Sequence, residues 1–225
     1  TVTHELRTPL TSIRAFTEIL SQDPDIDIAQ RRKFLGIVVK ETERLTRLIN
    51  QVLDLAKIES GRAEWHETRV DMRELISDTV TAMEQVFQEK GIRVSTRMPE
   101  RVSPVRADLD RMIQVMLNLL SNAVKFCDPG AGRIEVTLSE GDGWLRVDVR
   151  DNGPGVRPQD RDIIFDKFRQ AGDTLTEKPH GTGLGLPISR HIVERHGGQI
   201  WVENHPGPGA CFSFKLPVMK LAEAA

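Results

Sequence analysis

Two long helices are predicted at the start of the chain from the spacing of its apolar residues. In the first twenty residues, leucine and isoleucine recur at intervals built from three and four positions, which places them on one helix face. These residues are Leu6, Leu10, Ile13 and Leu20. Residues 21–27 contain a proline and three aspartates, so we expect the first helix to end there.

A second helix is predicted from Ile28 to Ser60. Its apolar positions alternate in steps of four and three residues, as in a coiled-coil seam. The members of the seam are Phe34, Val38, Glu41, Leu45, Leu48, Val52 and Leu55. Gly61 is placed to end the helix. Two helices with one apolar seam each favour a dimeric four-helix bundle, and an intrachain hairpin lying on a second domain is the alternative.

The remaining sequence predicts an α/β sandwich. Helices are predicted over 71–88, 108–125 and 184–196, and strands over 92–98, 133–138, 144–150, 199–203 and 210–216. Helices gathered on one side of a mostly antiparallel sheet are typical of the α+β class. Residues 166–183 have no apolar period, and a loop of that length predicts a functional segment such as a lid over a ligand.

Charge and composition narrow the possible functions. Lysine and arginine total 31 against 33 aspartates and glutamates, a net charge of −2, so no basic field would attract nucleic acid. Cys127 and Cys211 match no paired metal-ligand spacing and are predicted to be reduced thiols. No apolar run approaches the roughly 20 residues that span a bilayer. We therefore expect membrane attachment only through regions absent from this chain.

His4 is the first candidate for chemistry. At about 100° per residue, it points away from the apolar face of the first helix, with Thr8 one turn along on the same side and Glu5 beside it. An exposed histidine by itself is most often only a solvated residue. A HExxH zinc site is excluded, because Thr8 stands where the second histidine would be.

The string HELRTPL, His4 to Leu10, resembles the H-box of the sensor histidine kinases. The resemblance implies that His4 is the phosphoacceptor, that Glu5 acts as a base, and that Thr8 positions water for dephosphorylation. An imidazole with an ordinary pKa near ~6.5 is largely neutral and nucleophilic at cytosolic pH, which fits this role.

A polar stripe accompanies the apolar face of the helix predicted over 108–125. Asn118, Asn122 and Lys125 fall on one side of it, next to a row of core residues. Two asparagines one turn apart in a helix interior favour a ligand site, since asparagine is a poor helix former; a solvated polar surface is the alternative. The string NLLSNAVKF resembles the N-box of the same family, which implies Asn122 as the Mg²⁺ ligand and Asn118 and Lys125 at the phosphates of ATP.

Two further strings lie at the end of a predicted strand and at the start of the predicted long loop. DNGPGV, Asp151 to Val156, comes at the end of a predicted strand; as a pattern alone it would also make an ordinary surface turn. It resembles the G1 box, which implies that Asp151 accepts the adenine amine and that Gly153 and Gly155 let the backbone approach the base. FDKFRQ resembles the F-box, which implies Phe165 and Phe168 at the base of the lid.

The string GTGLGL opens the helix predicted over 184–196. The free N–H groups at a helix start make a phosphate site, although a glycine-rich string alone is weak evidence. It is neither the GxGxxG dinucleotide motif nor a P-loop. It resembles the G2 box, which implies phosphate contacts and lid closure by Gly181, Thr182, Gly183, Leu184, Gly185 and Leu186.

Together, the five strings identify the chain as a member of the sensor histidine kinases. The resemblance implies a dimerisation and phosphotransfer domain over 1–61, truncated at its start relative to the family, a linker over 62–70, a catalytic GHKL (Bergerat) ATP-binding domain over 71–218 and a tail over 219–225.

The activity that the resemblance implies is ATP-dependent autophosphorylation of His4, with transfer to an aspartate of a response-regulator receiver domain and phosphatase activity toward the phosphorylated regulator. It also implies a homodimer through the helical hairpin, and a cytoplasmic portion of a protein attached to the inner membrane. The departures are Thr3 where serine is usual and Phe126 where tyrosine is frequent. The alternatives are an ATP-binding adaptor that has lost transfer, and an ATPase related to the chaperone, gyrase or mismatch-repair enzymes.

Overall fold

A computed structural model describes residues 2–23, 25–128, 130–169, 182–204 and 208–219, without the side chains of Val2, His4 and Asn204. The chain forms two compact units. The first contains residues up to 63 together with 182–184, and the second contains the described residues of 64–169 and 185–219.

The first unit is built on a helical hairpin, as predicted. α1 spans Val2–Gln22 and α2 spans Ile28–Glu59. Asp27 caps the start of α2, because its side chain accepts a hydrogen bond from the backbone N–H of Gln30 at 2.9 Å. Gly61 follows the helix with a φ of +68°, the left-handed conformation expected there.

The hairpin buries one apolar seam and leaves a second one exposed. Leu48 and Leu55 of α2 are buried, and the rings of Phe16 and Phe34 lie 5.1 Å apart across the two helices. The exposed positions on α2 include Leu35, Val39, Ile49 and Leu53. Thr42 and Thr46 lie on the same stripe, and their hydroxyls donate to helix carbonyls four residues earlier, which satisfies their polar atoms within the helix.

Leu10 departs from the predicted seam of α1. The sequence pattern places it on one face with Leu6, Ile13 and Leu20, which are half-buried, whereas Leu10 is 58% exposed. Among the four residues, Leu10 lies farthest toward the edge of the apolar arc at about 100° per residue. It is therefore rotated away from α2.

The second unit is the predicted α/β sandwich. Its strands are β1 (Glu67–Val70), β2 (Arg93–Arg97), β3 (Val105–Asp108), β4 (Arg133–Gly141), β5 (Trp144–Asp151), β6 (Gln199–Asn204) and β7 (Ala210–Pro217). The five-stranded sheet has the order β2-β4-β5-β7-β6, and β1 and β3 form a separate antiparallel pair. The helices are α3 (Met72–Ala82), α4 (Glu84–Glu89), α5 (Leu109–Phe126) and α6 (Gly185–Arg195). Only β2 and β4 pair in parallel within the larger sheet.

Buried and half-buried residues alternate along the strands, and the buried ones form the core of this unit. In β5 every second residue is buried, ending with Asp151, and the intervening residues are half-buried on the other face. α5 and α6 supply the largest share of fully buried helix residues, among them Met112, Met116, Leu119, Leu120, Ile188 and Ile192. The last residue of β5 is thereby delivered to the helix-covered side of the sheet.

Three local features differ from the sequence prediction. The helix predicted over 71–88 is two helices, interrupted at Met83, whose φ and ψ of −98° and 2° leave the helical region. β1 forms within the segment assigned to a linker, and β3 was not predicted at all. These two strands are four residues each, too short to show a clear period. No described helix has both the length and the apolar character that a membrane crossing needs.

Candidate functional site

The predicted acceptor histidine lies in the first turn of α1. His4 and Glu5 are both helical, and Thr8 and Pro9 follow within one turn. The side chain of His4 is outside the described part of the structure, so its predicted outward direction remains a prediction. Glu5 is half-buried and Thr8 is exposed.

An arginine of α2 lies between two carboxylates beside this turn. The guanidinium of Arg44 lies 3.8 Å from a carboxylate oxygen of Glu5 and 3.6 Å from one of Glu41. Glu41 is the polar member of the heptad seam, and its Oε2 is buried without a hydrogen bond from any described residue. Because a buried charge is costly unless paired, Arg44 stabilises both carboxylates, although its single positive charge balances only one of them.

The polar stripe predicted on α5 is present in the second unit. Asn118, Asn122 and Lys125 are half-buried along the helix, next to the buried Leu119 and Ala123. Asn118 differs from its neighbours because its amide is already engaged within the protein. Its Nδ2 donates to the carbonyl of Gly185 and to the hydroxyl of Ser189, both at 3.2 Å. Asn118 therefore ties α5 to the start of α6.

Lys125 is a cation without a carboxylate partner among the described residues. Its ammonium lies 4.5 Å from the centre of the Phe126 ring, a cation–π contact. Burial lowers the pKa of Lys125 below the usual value for lysine. A partly desolvated ammonium on this stripe is suited to binding an anion.

Asp151 is the buried carboxylate of the second unit that sequence analysis placed at a strand end. It is 4% exposed and is the last residue of β5. Its Oδ1 accepts hydrogen bonds from the backbone N–H of Gly153 at 2.8 Å and of Ala210 at 3.3 Å. Burial raises the pKa of Asp151, and these two N–H groups lower it only in part. All the hydrogen bonds that described residues make to this carboxylate end on Oδ1.

The loop after Asp151 is held by close backbone contacts. A Cβ on Gly153 would lie 2.0 Å from the carbonyl oxygen of Phe126, so no other residue fits without movement. The amide of Asn152 accepts from the N–H of Arg133 at 2.8 Å and donates to the carbonyl of Ala131 at 2.9 Å. Gly155 adopts a φ of +77°. The end of α5 and the loop after β5 therefore meet beside Asp151.

The two predicted lid-base phenylalanines have different surroundings. Phe165 is buried, and the guanidinium of Arg190 on α6 lies 5.8 Å from its ring centre. Phe168 is half-buried and has a φ of +61°, which is unusual for a residue with a side chain. Phe165 thus packs with α6, which starts at the glycine-rich string.

The glycine-rich string is described only from its second residue, and Gly181 lies outside the described residues. The hydroxyl of Thr182 donates to Oε1 of Gln51 at 2.6 Å within the first unit, and it accepts from the N–H of Leu184 at 3.3 Å. Gly183 has a φ of +65° and Leu184 is fully buried. In the second unit, Gly185 and Leu186 form the first turn of α6.

Sequence analysis missed the two residues that complete the surroundings of Asp151. Ala210 is the first residue of β7 and supplies one of the N–H groups that bind the carboxylate, and Gly209 comes directly before it. The only signal nearby is the alternation of proline and glycine over residues 206–209, which is typical of any turn. Their proximity to Asp151 depends on the pairing of β7 with β5.

Both units match known protein families. Residues 107–220 match the family of histidine kinase-, DNA gyrase B- and HSP90-like ATPases, HATPase_c. Residues 1–61 match the His Kinase A (phospho-acceptor) domain, HisKA.

The chain is also similar to named histidine kinases. It is 34% identical to the sensor histidine kinase WalK of Bacillus subtilis over 220 residues, which are 96% of this chain and 35% of WalK. It is 33% identical over 220 residues to the autoinducer 2 sensor kinase/phosphatase LuxQ of Vibrio cholerae, covering 96% of this chain and 25% of LuxQ. The chain thus spans about a third or less of the length of these curated relatives.

Solved structures agree with these matches. Full-length ShkA in complex with AMPPNP has a TM-score of 0.73 and 32% identity, covering 98% of this chain and 45% of that one. The histidine kinase ThkA in complex with the response regulator protein TrrA has a TM-score of 0.75 and 28% identity, covering 97% and 60%. The chain therefore belongs to the sensor histidine kinases, with a HisKA phosphoacceptor domain followed by a HATPase_c ATPase domain of the GHKL type.

Proposed function

We propose that this chain is the catalytic core of a histidine kinase that transfers the γ-phosphoryl group of ATP to His4. The observation that carries the proposal is Asp151, a buried carboxylate with one oxygen bound by backbone N–H groups and none of its described hydrogen bonds on the other. A raised pKa in a buried acid is typical of a ligand-binding or catalytic position. Its place at a strand end beside the polar stripe of α5 suits a nucleotide.

In the proposed site, Asp151 accepts a hydrogen bond from the exocyclic amine of adenine. Gly153 and Gly155 would keep the neighbouring backbone free of side chains, and Phe165 and Phe168 are proposed at the base of a lid. The phosphates would be bound by Lys125 and by the N–H groups at the start of α6, where the glycines leave the backbone accessible. Residues 181–186 and Asn118 complete the proposed set.

Asn122 is proposed as the protein ligand of Mg²⁺. A single amide oxygen suits a hard cation that keeps several waters and is otherwise held by phosphate oxygens. When bound, the ion would neutralise charge on the transferring phosphoryl group. Because Asn118 already donates to Gly185 and Ser189, we assign it to positioning the start of α6 more than to direct phosphate contact.

In the proposed transfer, the lone pair of a His4 ring nitrogen attacks the γ-phosphorus in line. The bond from phosphorus to the β–γ bridging oxygen breaks, and ADP leaves with that electron pair. Glu5 would hold the other ring N–H and stabilise the positive charge that develops on the imidazole. The guanidinium of Arg44, which lies 3.8 Å from a carboxylate oxygen of Glu5, would help to hold that carboxylate in place.

The partners follow from the same proposal. The phosphoryl group would pass from His4 to an aspartate of a response-regulator receiver domain, and Thr8 would position water when the phosphorylated regulator is hydrolysed. The relatives whose names or structures mention a phosphatase activity and a bound response regulator support this assignment.

A homodimer through α1 and α2 is proposed from the exposed apolar stripe. Leu35, Val39, Ile49 and Leu53 are 43% to 57% exposed, and an exposed apolar stripe of this kind, interrupted by Thr42 and Thr46, is typical of an interface. Sedimentation analysis should show a dimer for the wild-type chain and a monomer for Leu53→Lys. A monomeric wild-type chain at micromolar concentration would contradict the proposal.

The domain division into 1–61, 62–70, 71–218 and 219–225 is retained as a proposal. We likewise propose that the full-length protein is attached to a membrane through regions outside this chain.

Incubation with γ-labelled ATP and Mg²⁺ tests the proposed activity. The label should be lost in acid and stable in alkali, as expected for a phosphoramidate, and it should be absent from His4→Gln. His66→Gln, which changes an exposed histidine of the second unit, is the matched control and should label normally. An acid-stable label, or labelling of His4→Gln at the wild-type level, would refute the proposal.

A further inference from the structure

The backbone that enters β7 lies directly against the backbone of Asp151. Gly209 has a φ of +114°, which residues with side chains rarely adopt. A Cβ at this position would be 1.9 Å from the carbonyl oxygen of Asp151, 2.8 Å from its carbonyl carbon and 3.1 Å from Cα of Asn152. All three are backbone atoms, so they cannot move aside as the end of a flexible side chain would. Both the space and the conformation therefore require glycine.

This close approach brings a hydrogen-bond donor to the carboxylate. The ladder between β5 and β7 ends at the pair Arg150 and Cys211, and Asp151 lies one residue beyond it. The N–H of Ala210 then donates to Oδ1 of Asp151, where the N–H of Gly153 also donates. Two donors fixed in the backbone hold one oxygen and thereby set the direction of the other.

We propose that Gly209 is a positioning residue for nucleotide selection: it lets the Ala210 N–H reach Asp151, which fixes the second carboxylate oxygen toward an exocyclic amine on the purine. The inference rests on the proposed binding of ATP at Asp151. In this inference, Gly209 keeps the Asp151 carboxylate in one orientation. That orientation is what allows the site to distinguish adenine from purines without an amine at the same position. A guanine would present a carbonyl oxygen there, and two acceptors would face each other.

If Gly209 has this role, replacing it should reduce the selectivity of the site for ATP over nucleotides without the exocyclic amine. A hydrogen bond to a charged acceptor contributes about 10- to 100-fold in affinity. A carboxylate released from Ala210 can turn away from the amine, so the preference for an amine-bearing base should fall while contacts to sugar and phosphate remain. A merely structural role would instead weaken both kinds of nucleotide alike.

The test compares dissociation constants of the full chain for ATP and for the triphosphate of unsubstituted purine ribonucleoside, which has no exocyclic amine. Wild type should prefer ATP by about 10- to 100-fold. Gly209→Ala should bring the two affinities to within a few-fold, mostly by weakening ATP. Gly141→Ala, at a glycine with no atom within 4 Å of its added Cβ, is the matched control and should keep the preference.

Each other outcome has a definite meaning. If Gly209→Ala weakens both nucleotides equally and keeps the wild-type preference, the proposed role of Gly209 is overturned. If wild type shows no preference, the contact between Asp151 and adenine itself fails. If Gly209→Ala loses its circular dichroism signal, Ala210→Pro replaces it, since it removes the N–H donor at the first residue of a strand, where proline is tolerated, and it is used only if its circular dichroism signal matches wild type. An unchanged preference in Ala210→Pro would overturn the inference.

Discussion

Two aspartates of the second unit are buried to the same extent, yet they have opposite electrostatic situations. Asp108 is 5% exposed and Asp151 is 4% exposed. Asp108 uses both oxygens within the protein: Oδ2 accepts from the N–H of His66 at 2.8 Å, and Oδ1 accepts from the N–H of Arg111 at 3.1 Å. Asp151 receives both of its described hydrogen bonds on one oxygen.

The pKa values follow from this difference in partners. Burial by itself would raise the pKa of Asp108, but the two backbone N–H groups and the nearby Arg111 guanidinium outweigh it, so the pKa is lowered. At Asp151, burial outweighs the N–H groups and the pKa is raised. Asp108 thus stabilises the fold as the N-cap of α5. Asp151 instead has a second carboxylate oxygen that receives no hydrogen bond from the described residues and can accept one from a ligand.

Asp151→Asn should have the largest effect on function. The amide keeps an oxygen for Gly153 and Ala210 but presents an NH₂ group to the adenine amine, so we expect ATP affinity to fall by at least about 100-fold. The free energy of unfolding at neutral pH should stay the same or rise, because a buried charge is removed. Calorimetric titration with ATP and urea denaturation measure the two quantities. Asp142→Asn in the β4–β5 turn is the control, and comparable ATP binding in both variants would contradict the comparison.

Lys125→Met extends the comparison to a half-buried cation. Since Lys125 has no carboxylate partner among the described residues, its loss should leave stability nearly unchanged and weaken ATP by roughly tenfold, about 1.4 kcal/mol. The loss should be smaller for adenosine, which has no phosphates. Lys90→Met, at an exposed lysine, is the control. An equal loss for adenosine would argue against phosphate contact.

Asp108→Ala should lower stability and leave ATP affinity nearly unchanged, which is the opposite of the effect expected for Asp151→Asn. Removing the cap of α5 and leaving the N–H of His66 unpaired should lower the free energy of unfolding by about 1 to 3 kcal/mol. ATP affinity, measured below the unfolding transition, should change less than threefold. A loss of affinity as large as that of Asp151→Asn would show that the two aspartates are not separate in function.

The smallest expected effect is the pH dependence of stability. The contribution of Asp108, whose pKa is lowered by folding, is present above the ordinary aspartate pKa and is lost as the pH falls through the folded value. The contribution of Asp151, whose pKa is raised, is present at low pH and is lost as the pH rises through the folded value. The stability gained by Asp151→Asn over wild type should therefore grow with rising pH. Urea denaturation from pH 3 to 8 would measure it, and a gain that shrinks with rising pH would contradict the sign.

Local sequence patterns were enough to predict what lies within single elements. The period of α5 placed Asn118, Asn122 and Lys125 on one side of the helix, where the structure has them. The alternation of β5 brought Asp151 to a strand end. These predictions succeeded because helix and strand periods act over neighbouring residues.

Contacts made by tertiary structure could not be predicted in the same way. Ala210 reaches Asp151 across 59 residues of sequence, and no period links the two positions. The second hydrogen bond of the Asn118 amide, to Ser189, depends on how α5 packs on α6. The short strands β1 and β3 form because they pair with each other, not because of any strong pattern of their own.

Locating the transferred phosphoryl group tests the central claim most directly. The full chain would be incubated with Mg²⁺ and ATP, digested at neutral pH and sequenced by tandem mass spectrometry. The account predicts phosphate on His4 in the wild-type chain and none on His4 in Asp151→Asn. Phosphate on a different residue, or equal modification of His4 in both proteins, would contradict it.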